Sequence, residues 1–463
     1  MGKAAVSHRT KFLYGTGAFG YGSVSQTLNS FMMFFASSIL GIPGTLVGVA
    51  IGISTVWDAT TDPFVGHFSD NTKSQRFGKR HGWILFASIG VATTNLILWS
   101  ISPEWGTWTK FLMLLFLLLI IETFNTCYST PYQALGIDLS ANYQDRTAVQ
   151  AYRTVFGFLA LLVPTLLMRV FLSPERYVTM GASARGYQEI ALVTSILCVV
   201  FALVCFLGTY KNRERHVLEK KESQEQGEGI ISEFFKIIRQ KNVGRLILGY
   251  GISLAAGAFI TSLGLHVFTY TFQFNTAEIP YVMISLIAGI ILAQPLWLAH
   301  SRKHDKPTSL VSALFIVILG MVVFGVLLTF RNVLSGEALL LMVCATIFIC
   351  GLGTGCLYSL PVSMFADCID KQERETGSDK TASSMGFLTF CTKVSNAFIM
   401  FVVGLSLDLI GFRGGEGSQS IWVQNWLGWV LILGVVVSAT CAIFIYSGYT
   451  YGKKDFENST EKG

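Results

Sequence analysis

The sequence predicts an all-α membrane protein with twelve transmembrane helices arranged in two six-helix bundles. Of its 463 residues, 52% are hydrophobic and only 13% are charged, about half the charged share of a typical soluble domain. Apolar runs reach the 18 or so residues that indicate a membrane span, and they recur along the chain. This composition excludes a soluble enzyme, a disordered chain and a secreted disulfide scaffold.

A hydropathy window of about 19 residues divides the apolar runs into two groups of six. The first six predicted helices are 12–40, 45–68, 83–102, 110–136, 148–172 and 188–210; the last six are 243–272, 280–299, 308–330, 338–366, 381–411 and 421–448. We therefore predict four segments: an N-terminal bundle at 1–210, a cytoplasmic linker at 211–242, a C-terminal bundle at 243–450 and a cytoplasmic tail at 451–463.

The polar linker contains one amphipathic stretch. Five apolar residues share a helical face there: Ile230, Ile231, Phe234, Phe235 and Ile238. This pattern predicts a short interfacial helix, with an ordinary solvated linker helix as the alternative.

Basic residues are distributed unevenly between the two predicted membrane faces. With both termini and the linker on one face, that face holds 26 of the 34 Lys and Arg residues, the opposite face holds six, and two lie within spans. By the positive-inside rule, both termini are predicted to be cytoplasmic in a multi-pass protein of the cell (inner) membrane.

The sequence lacks the motifs of soluble catalysis and metal binding. None of the nine cysteines forms a CxxC pair or shows metal-ligand spacing. Gly351, Gly353 and Gly355 lie inside an apolar run with no preceding strand, which indicates helix packing rather than a nucleotide loop. We therefore expect no enzyme, no cofactor and no nucleic-acid partner.

A pair of carboxylates lies inside the second predicted span. Asp58 and Asp62 are four residues apart, so both project from one helical face. Two close carboxylates repel each other unless a cation or proton lies between them, which predicts a site for Na⁺ or H⁺. The alternative is a structural pair neutralised by Arg153 and Lys393.

The fourth predicted span carries a polar stripe. Glu122, Thr126, Ser129 and Gln133 are spaced by four, three and four residues, and Asn125 lies beside them. Such a stripe on an apolar helix faces the interior of a bundle. It predicts the lining of a transport pathway, although Thr and Ser also form hydrogen bonds between helices without further function.

Two basic residues lie within spans of opposite halves, Arg153 and Lys393. An intramembrane Arg offers a bidentate fork to carboxylates or hydroxyls, so both residues are substrate-site candidates; the alternative is that they only balance the carboxylates.

Gln26 and Asn29 on the first span follow the glycine-rich segment GTGAFGYG, a pattern that predicts close packing with a few polar contacts. Tyr14, Tyr21 and Tyr358 are candidates for stacking on a sugar ring, with plain packing as the alternative. Tyr21 and Gln26 are also substrate-site candidates.

The two halves share a weak internal repeat. Asp62-Pro63 precedes a basic loop in the first half, and Gln294-Pro295 precedes another in the second. Parallel repeats of this kind, joined by a central loop, are typical of the major facilitator architecture.

Five segments in chain order carry a resemblance to a known family. They are Asp58-Ala-Thr-Thr-Asp62-Pro63 with the following loop, Thr126 with Ser129-Thr-Pro131-Tyr, Ala151-Tyr152-Arg153, Met364-Phe-Ala-Asp367, and Lys393. This chain resembles the glycoside–pentoside–hexuronide:cation symporters, the melibiose-permease-like family of the major facilitator superfamily.

The resemblance implies a cation site at Asp58, Asp62 and Thr126, with Thr61 at a position that is Asn in the melibiose permease. It also implies a sugar site that includes Arg153 and Lys393. Four positions depart from the family pattern at the sugar site: Tyr21 and Gly22 replace a Lys-Asp pair, Ser129 replaces Asp, and Gln133 replaces Trp. Glu122, about two turns from Ser129 on the same face, is a candidate replacement for the missing carboxylate.

We therefore predict a secondary active symporter that couples entry of Na⁺ or H⁺ to uptake of a glycoside, uronide or related sugar by alternating access. It is expected to act as a monomer in a lipid bilayer. A resemblance to vertebrate lysophospholipid carriers, which share the Asp pair and Ala-Tyr-Arg, leaves a cation-coupled lysophospholipid transporter as an alternative. A non-transporting membrane protein with purely structural charges is a further alternative.

Overall fold

The computed structural model describes residues 6–72, 74, 76–139, 143–172, 180–210, 241–334, 336–376 and 381–449, and within these ranges the secondary structure is helical without strands. Among these described residues, the first half contains six long helices: α1 (His8–Phe34), α2 (Gly44–Asn71), α3 (His81–Leu98), α4 (Thr107–Asp138), α5 (Tyr143–Phe171) and α6 (Met180–Thr209). The second half contains α7 (Lys241–His266), α8 (Ile279–His304), α9 (Lys306–Phe330), α10 (Gly336–Gly355), α11 (Leu360–Thr376), α12 (Thr381–Leu409) and α13 (Ile421–Ser447).

The predicted all-helical membrane fold is confirmed. Among the described residues, ten helical segments are long and apolar enough to cross a membrane, with α10 and α11 counted as one. The other two long helices, α1 and α2, have 27 and 28 residues, enough to span a bilayer. They fall below the hydropathy of the other ten because glycines and polar side chains interrupt them.

The tenth predicted span differs from the structure because it is not one continuous helix. After α10 ends at Gly355, a 3₁₀ turn at Cys356–Tyr358 follows, and Ser359 leaves the helical region with φ −124°. Pro361 lies in the first turn of α11, where its missing N–H leaves no hydrogen bond unmade. The proline therefore permits a helix to start there but not to continue through.

The chain divides into two compact units. The first consists of Met1–Ser223 with Arg413–Gly417, and the second of Gln224–Phe412 with Ser418–Gly463. The exact segment boundaries predicted from the sequence stay predictions, and the interfacial helix predicted around 230–238 lies outside the described residues.

Glycines bring α1 close to its neighbours in the first unit. A Cβ at Gly15 would lie 2.7 Å from the Phe156 ring on α5, and one at Gly20 would lie 3.1 Å from the Leu197 carbonyl oxygen on α6. Only glycine permits these approaches, which confirms the packing role predicted for the glycine-rich segment.

The second unit has an even closer contact between α8 and α10. A Cβ at Gly289 would lie 2.4 Å from the Phe348 carbonyl oxygen, and one at Gly351 would lie 2.4 Å from that of Leu286. The two backbones therefore touch directly. The glycine run at 351–355 packs helices, as predicted.

The first helices of the two halves end in the same way. Both α1 and α7 finish in a π-helical turn, at Phe35–Ile39 and Val267–Thr271. A residue with positive φ follows each turn, Gly41 at +66° and Gln273 at +56°. In each case the two amides that flank this residue bond back to carbonyls of the π turn at 2.9 or 3.0 Å. This shared ending supports the internal repeat.

Ion pairs at helix ends also correspond between the halves. Arg80, at the start of α3, bonds Asp138 at the end of α4 with 3.5 Å between Nε and Oδ2, and it also bonds Asp70. Lys306, at the start of α9, bonds Asp367 on α11 with 2.5 Å between Nζ and Oδ2. Each half therefore ties the start of its third long helix to a later helix.

Candidate cation and substrate site

The predicted cation residues lie where α2 meets α4. The Thr126 hydroxyl on α4 donates a hydrogen bond of 2.5 Å to Asp58 Oδ1 on α2. Thr126 is buried, with 1% of its surface exposed, and Asp58 is half-buried. One turn away, Trp57 Nε1 donates to Thr123 Oγ1 at 2.9 Å. The two helices are thus joined by two polar contacts, one of which includes a carboxylate.

Thr61 and Asp62 extend the same face of α2. Thr61 Oγ1 donates to the Asp58 carbonyl oxygen at 3.1 Å, and Asp62 is half-buried about one helical turn beyond Asp58. Pro63 has no N–H to offer the Ala59 carbonyl. Side-chain and backbone oxygens are therefore concentrated on this part of the helix.

This set of oxygens has the chemistry that a hard cation requires. A hydroxyl donates one hydrogen bond and still has two lone pairs, so Thr61 and Thr126 can donate to Asp58 and also act as ligands. Within the described part of the chain, no three His, Cys, Asp or Glu side chains gather as a metal-binding group. Two carboxylates with two hydroxyls suit a singly charged ion better than a transition metal. The assignment of Na⁺ to Asp58 and Asp62 stays a prediction.

Arg153 on α5 lies close to the tyrosines of α1. Its positive charge acts electrostatically on both Tyr14 and Tyr21. Asp58 also acts electrostatically on Tyr21, whose ring packs against Tyr128 with centroids 5.0 Å apart. Tyr21 therefore lies within the field of both the Arg153 cation and the Asp58 carboxylate.

Tyr14, a candidate for stacking on a sugar, is instead a packing residue. It is fully buried, and its ring stacks on Tyr132 with centroids 4.6 Å apart. The Tyr14 hydroxyl donates to the Tyr132 carbonyl at 3.1 Å, and the Tyr132 hydroxyl donates to the Tyr14 carbonyl at 2.8 Å. This reciprocal pair of hydrogen bonds between α1 and α4 was not predictable from the sequence, because neither tyrosine has a distinctive spacing.

The polar stripe on α4 has a buried middle and a more accessible end. Thr126 is buried, Glu122 and Ser129 are half-buried, and Gln133 is exposed. Asn125 Nδ2 donates to Glu122 Oε2 at 3.4 Å. The stripe thus faces the interior at the level of Asp58, and Glu122 has an amide partner on its own helix.

Gln26 and Lys393 are the remaining predicted substrate residues. Gln26 is half-buried on α1, about one and a half turns beyond Tyr21. Lys393 is half-buried on α12 in the second unit. Its participation in a site with Arg153 stays a prediction.

The corresponding position in the second half is a bridge between helices. Gln294, which precedes Pro295 on α8 as Asp62 precedes Pro63 on α2, donates from Nε2 to the Gly355 carbonyl on α10 at 2.9 Å. Its amide therefore holds α8 against α10. The carboxylate pair is a property of the first half.

The fold and its intramembrane polar site are those of a membrane transporter of the major facilitator type. Solved structures with the same fold include the nucleoside transporter NupG, with a TM-score of 0.61 at 14% identity over 94% of this chain and 98% of that one. A bacterial homologue of the human lysosomal transporter Spinster gives a TM-score of 0.66 at 12% identity over 98% of both chains. At these identities the likeness concerns the fold alone.

The chain belongs to the MFS/sugar transport protein family, whose model matches residues 13–453. It is 24% identical to an uncharacterised symporter of Synechocystis sp. over 90% of this chain and 88% of that protein. It is 22% identical to the sodium-dependent lysophosphatidylcholine symporter 1 of Mus musculus over 96% of this chain and 86% of that one.

Proposed function

We propose that this protein is a cation-coupled symporter that uses Na⁺ entry to drive uptake of a small sugar, with an acidic glycoside or uronide as the best-matched substrate. The observation that carries this proposal is the hydrogen bond between Thr126 and Asp58. It links a buried hydroxyl to an intramembrane carboxylate on a second helix, and ionisable residues inside a membrane are costly unless they serve a function.

The ligand types favour Na⁺ over H⁺ as the coupling ion. A proton needs one carboxylate, whereas a metal cation needs several oxygens to replace its hydration shell. Thr61 and Thr126 supply hydroxyl oxygens next to Asp58, and Asp62 lies one turn away. Relatives that are named sodium-dependent symporters support the same choice.

Coupling follows from the charges around Tyr21. Before an ion binds, the Asp58 carboxylate and the Arg153 guanidinium both act electrostatically on Tyr21. A bound cation offsets the carboxylate, so Arg153 becomes available to an anionic substrate group. By linkage, ion and substrate then strengthen each other's binding by the same factor, typically about 5- to 150-fold.

The side chains around Arg153 favour an acidic sugar. A guanidinium forms bidentate hydrogen bonds with a carboxylate, and Tyr21 offers an aromatic face and a hydroxyl. Gly22 and Ser129 stand where the resembling family has carboxylates, so a substrate anion meets less repulsion there.

Lysophosphatidylcholine is the second candidate substrate, because several relatives are named as its symporters. Its headgroup also carries an anionic phosphate, which Arg153 can recognise.

The proposal further places the protein in the cell membrane as a monomer. Its termini are then cytoplasmic, and the 211–242 linker separates its two bundles.

The test is accumulation of substrate in proteoliposomes with an imposed Na⁺ or H⁺ gradient. Labelled glucuronide, neutral glycoside and lysophosphatidylcholine are compared, and uptake of the glucuronide under a Na⁺ gradient is expected. Asp62→Asn should abolish accumulation but leave exchange of substrate down its gradient intact. Asp408→Asn, a matched change on α12, should leave both accumulation and exchange unchanged. Accumulation by Asp62→Asn at the wild-type level would place the cation site elsewhere.

A further inference from the structure

A cavity of about 430 Å³ lies in the first unit, where the end of α2, the following loop, α3 and α4 meet. Its size falls within the roughly 300–1,000 Å³ of small-molecule pockets. Its wall includes four aromatic side chains, Phe77, Trp83, Phe86 and Phe124, together with Cys127 on α4. None of the residues assigned to the cation and substrate site lines it.

One residue of the cavity wall, Phe86, lies on an exposed surface of α3. Phe86 is 66% exposed, and Ile89 and Ile97 further along the helix are 50% and 47% exposed. These positions form an apolar stripe on a membrane-spanning helix, and such a stripe contacts lipid chains rather than water. The α3 side of the cavity wall is therefore within reach of lipid chains.

The α2–α3 loop beside the cavity is basic, and two of its residues, Thr72 and Ser74, add polar groups to the cavity wall. The Arg76 guanidinium lies over the Phe77 ring, 5.4 Å from its centroid, and both Arg76 and Lys79 are exposed. The Tyr210 hydroxyl donates to the Arg76 carbonyl at 2.8 Å, which holds the loop in place. The nearby Asp70 is engaged by Arg80, so the edge of the cavity carries positive charge.

We propose that this cavity binds one acyl chain of an anionic phospholipid from the surrounding membrane, with its phosphate held by Arg76 and Lys79. The aromatic wall accepts the chain, and the basic edge lies where the headgroup emerges. Charge complementarity selects an anionic lipid over a zwitterionic one, since each Lys or Arg near an anionic surface strengthens binding about fivefold. The inference does not depend on the transported substrate.

Native mass spectrometry of the purified protein tests this proposal, with phosphatidylglycerol and phosphatidylcholine of identical chains as probes. Wild-type protein should retain phosphatidylglycerol preferentially. Arg76→Gln combined with Lys79→Gln should weaken that binding roughly 30-fold, from about fivefold for each charge. Arg302→Gln with Lys303→Gln, an exposed basic pair at the end of α8, is the matched control and should leave it unchanged.

A second variant tests the chain-binding part. Cys127→Phe should fill the cavity and lower retention of both lipids, whereas Cys441→Phe, at an exposed position, should not. Equal retention of the two lipids by the wild type, or no loss in the Arg76/Lys79 variant, would overturn the proposal. Because Arg76 and Lys79 are on the surface, that result stands even if Cys127→Phe fails to fold.

Discussion

Replacing Thr126 with valine tests the candidate cation site most directly. Valine has the same shape but lacks the hydroxyl that donates to Asp58 Oδ1 at 2.5 Å. The same hydroxyl oxygen is a proposed ligand of Na⁺, and a polar interaction with a charged group contributes about 1.5–3 kcal/mol. We therefore expect Thr126→Val to lower Na⁺ affinity about 10- to 150-fold, at 1.36 kcal/mol per tenfold change.

The assay is the Na⁺ concentration that gives half-maximal protection against thermal unfolding in detergent. A ligand that binds only the folded state stabilises it by an amount set by its concentration relative to Kd. Loss of affinity therefore moves the protection curve to higher Na⁺, and the same titration with K⁺ corrects for ionic strength.

Thr123→Val is the matched control, because Thr123 also bonds across α2 and α4 but accepts from Trp57. It should cost some stability yet leave the Na⁺ titration unchanged, and Thr126→Ser, which keeps the hydroxyl, should bind Na⁺ almost as the wild type does. An unchanged midpoint in Thr126→Val would refute the cation site. An equal shift in Thr123→Val would instead indicate helix packing.

Gln273→Gly should raise the free energy of unfolding by about 1 kcal/mol. Gln273 has φ +56°, and this left-handed conformation is costly for residues other than glycine. A thermal unfolding midpoint that does not rise would contradict this prediction. Gly289→Ala should destabilise by roughly 1–3 kcal/mol through overpacking, since its Cβ would lie 2.4 Å from a carbonyl oxygen, whereas Gly257→Ala, with no atom within 4 Å, should be neutral in the same melt. Glu122→Gln should change the pH dependence of uptake into proteoliposomes, because it removes a titratable group from the stripe; an identical pH profile would assign Glu122 to helix packing.

The positions of the helices were predictable from the sequence to within a few residues in most cases. A span must be long and apolar to cross a bilayer, and both properties are read from consecutive residues. The start of α6 shows the limit, since it begins at Met180 rather than at the predicted residue 188. Polar residues in the first turns of a helix lower its hydropathy without ending the helix.

The candidate site was predictable in part. The spacing of Asp58 and Asp62 fixes their common face, because four residues make about one helical turn. The hydrogen bond from Asn125 to Glu122 was not predictable, because Asn125 lies beside the stripe and its amide can point in several directions. The role of Tyr14 was also open, because an aromatic ring serves packing and sugar binding equally well.

The sequence by itself determined the membrane class, the two groups of six spans and the carboxylate face of α2, because these depend on composition and spacing along one chain segment. Only the tertiary structure decided that Thr126 meets Asp58, that Tyr14 is clamped to Tyr132, and that an aromatic cavity lies beside the α2–α3 loop. These features join residues from different helices. Their geometry depends on how glycines and large side chains let those helices approach, which no periodicity within a single helix specifies.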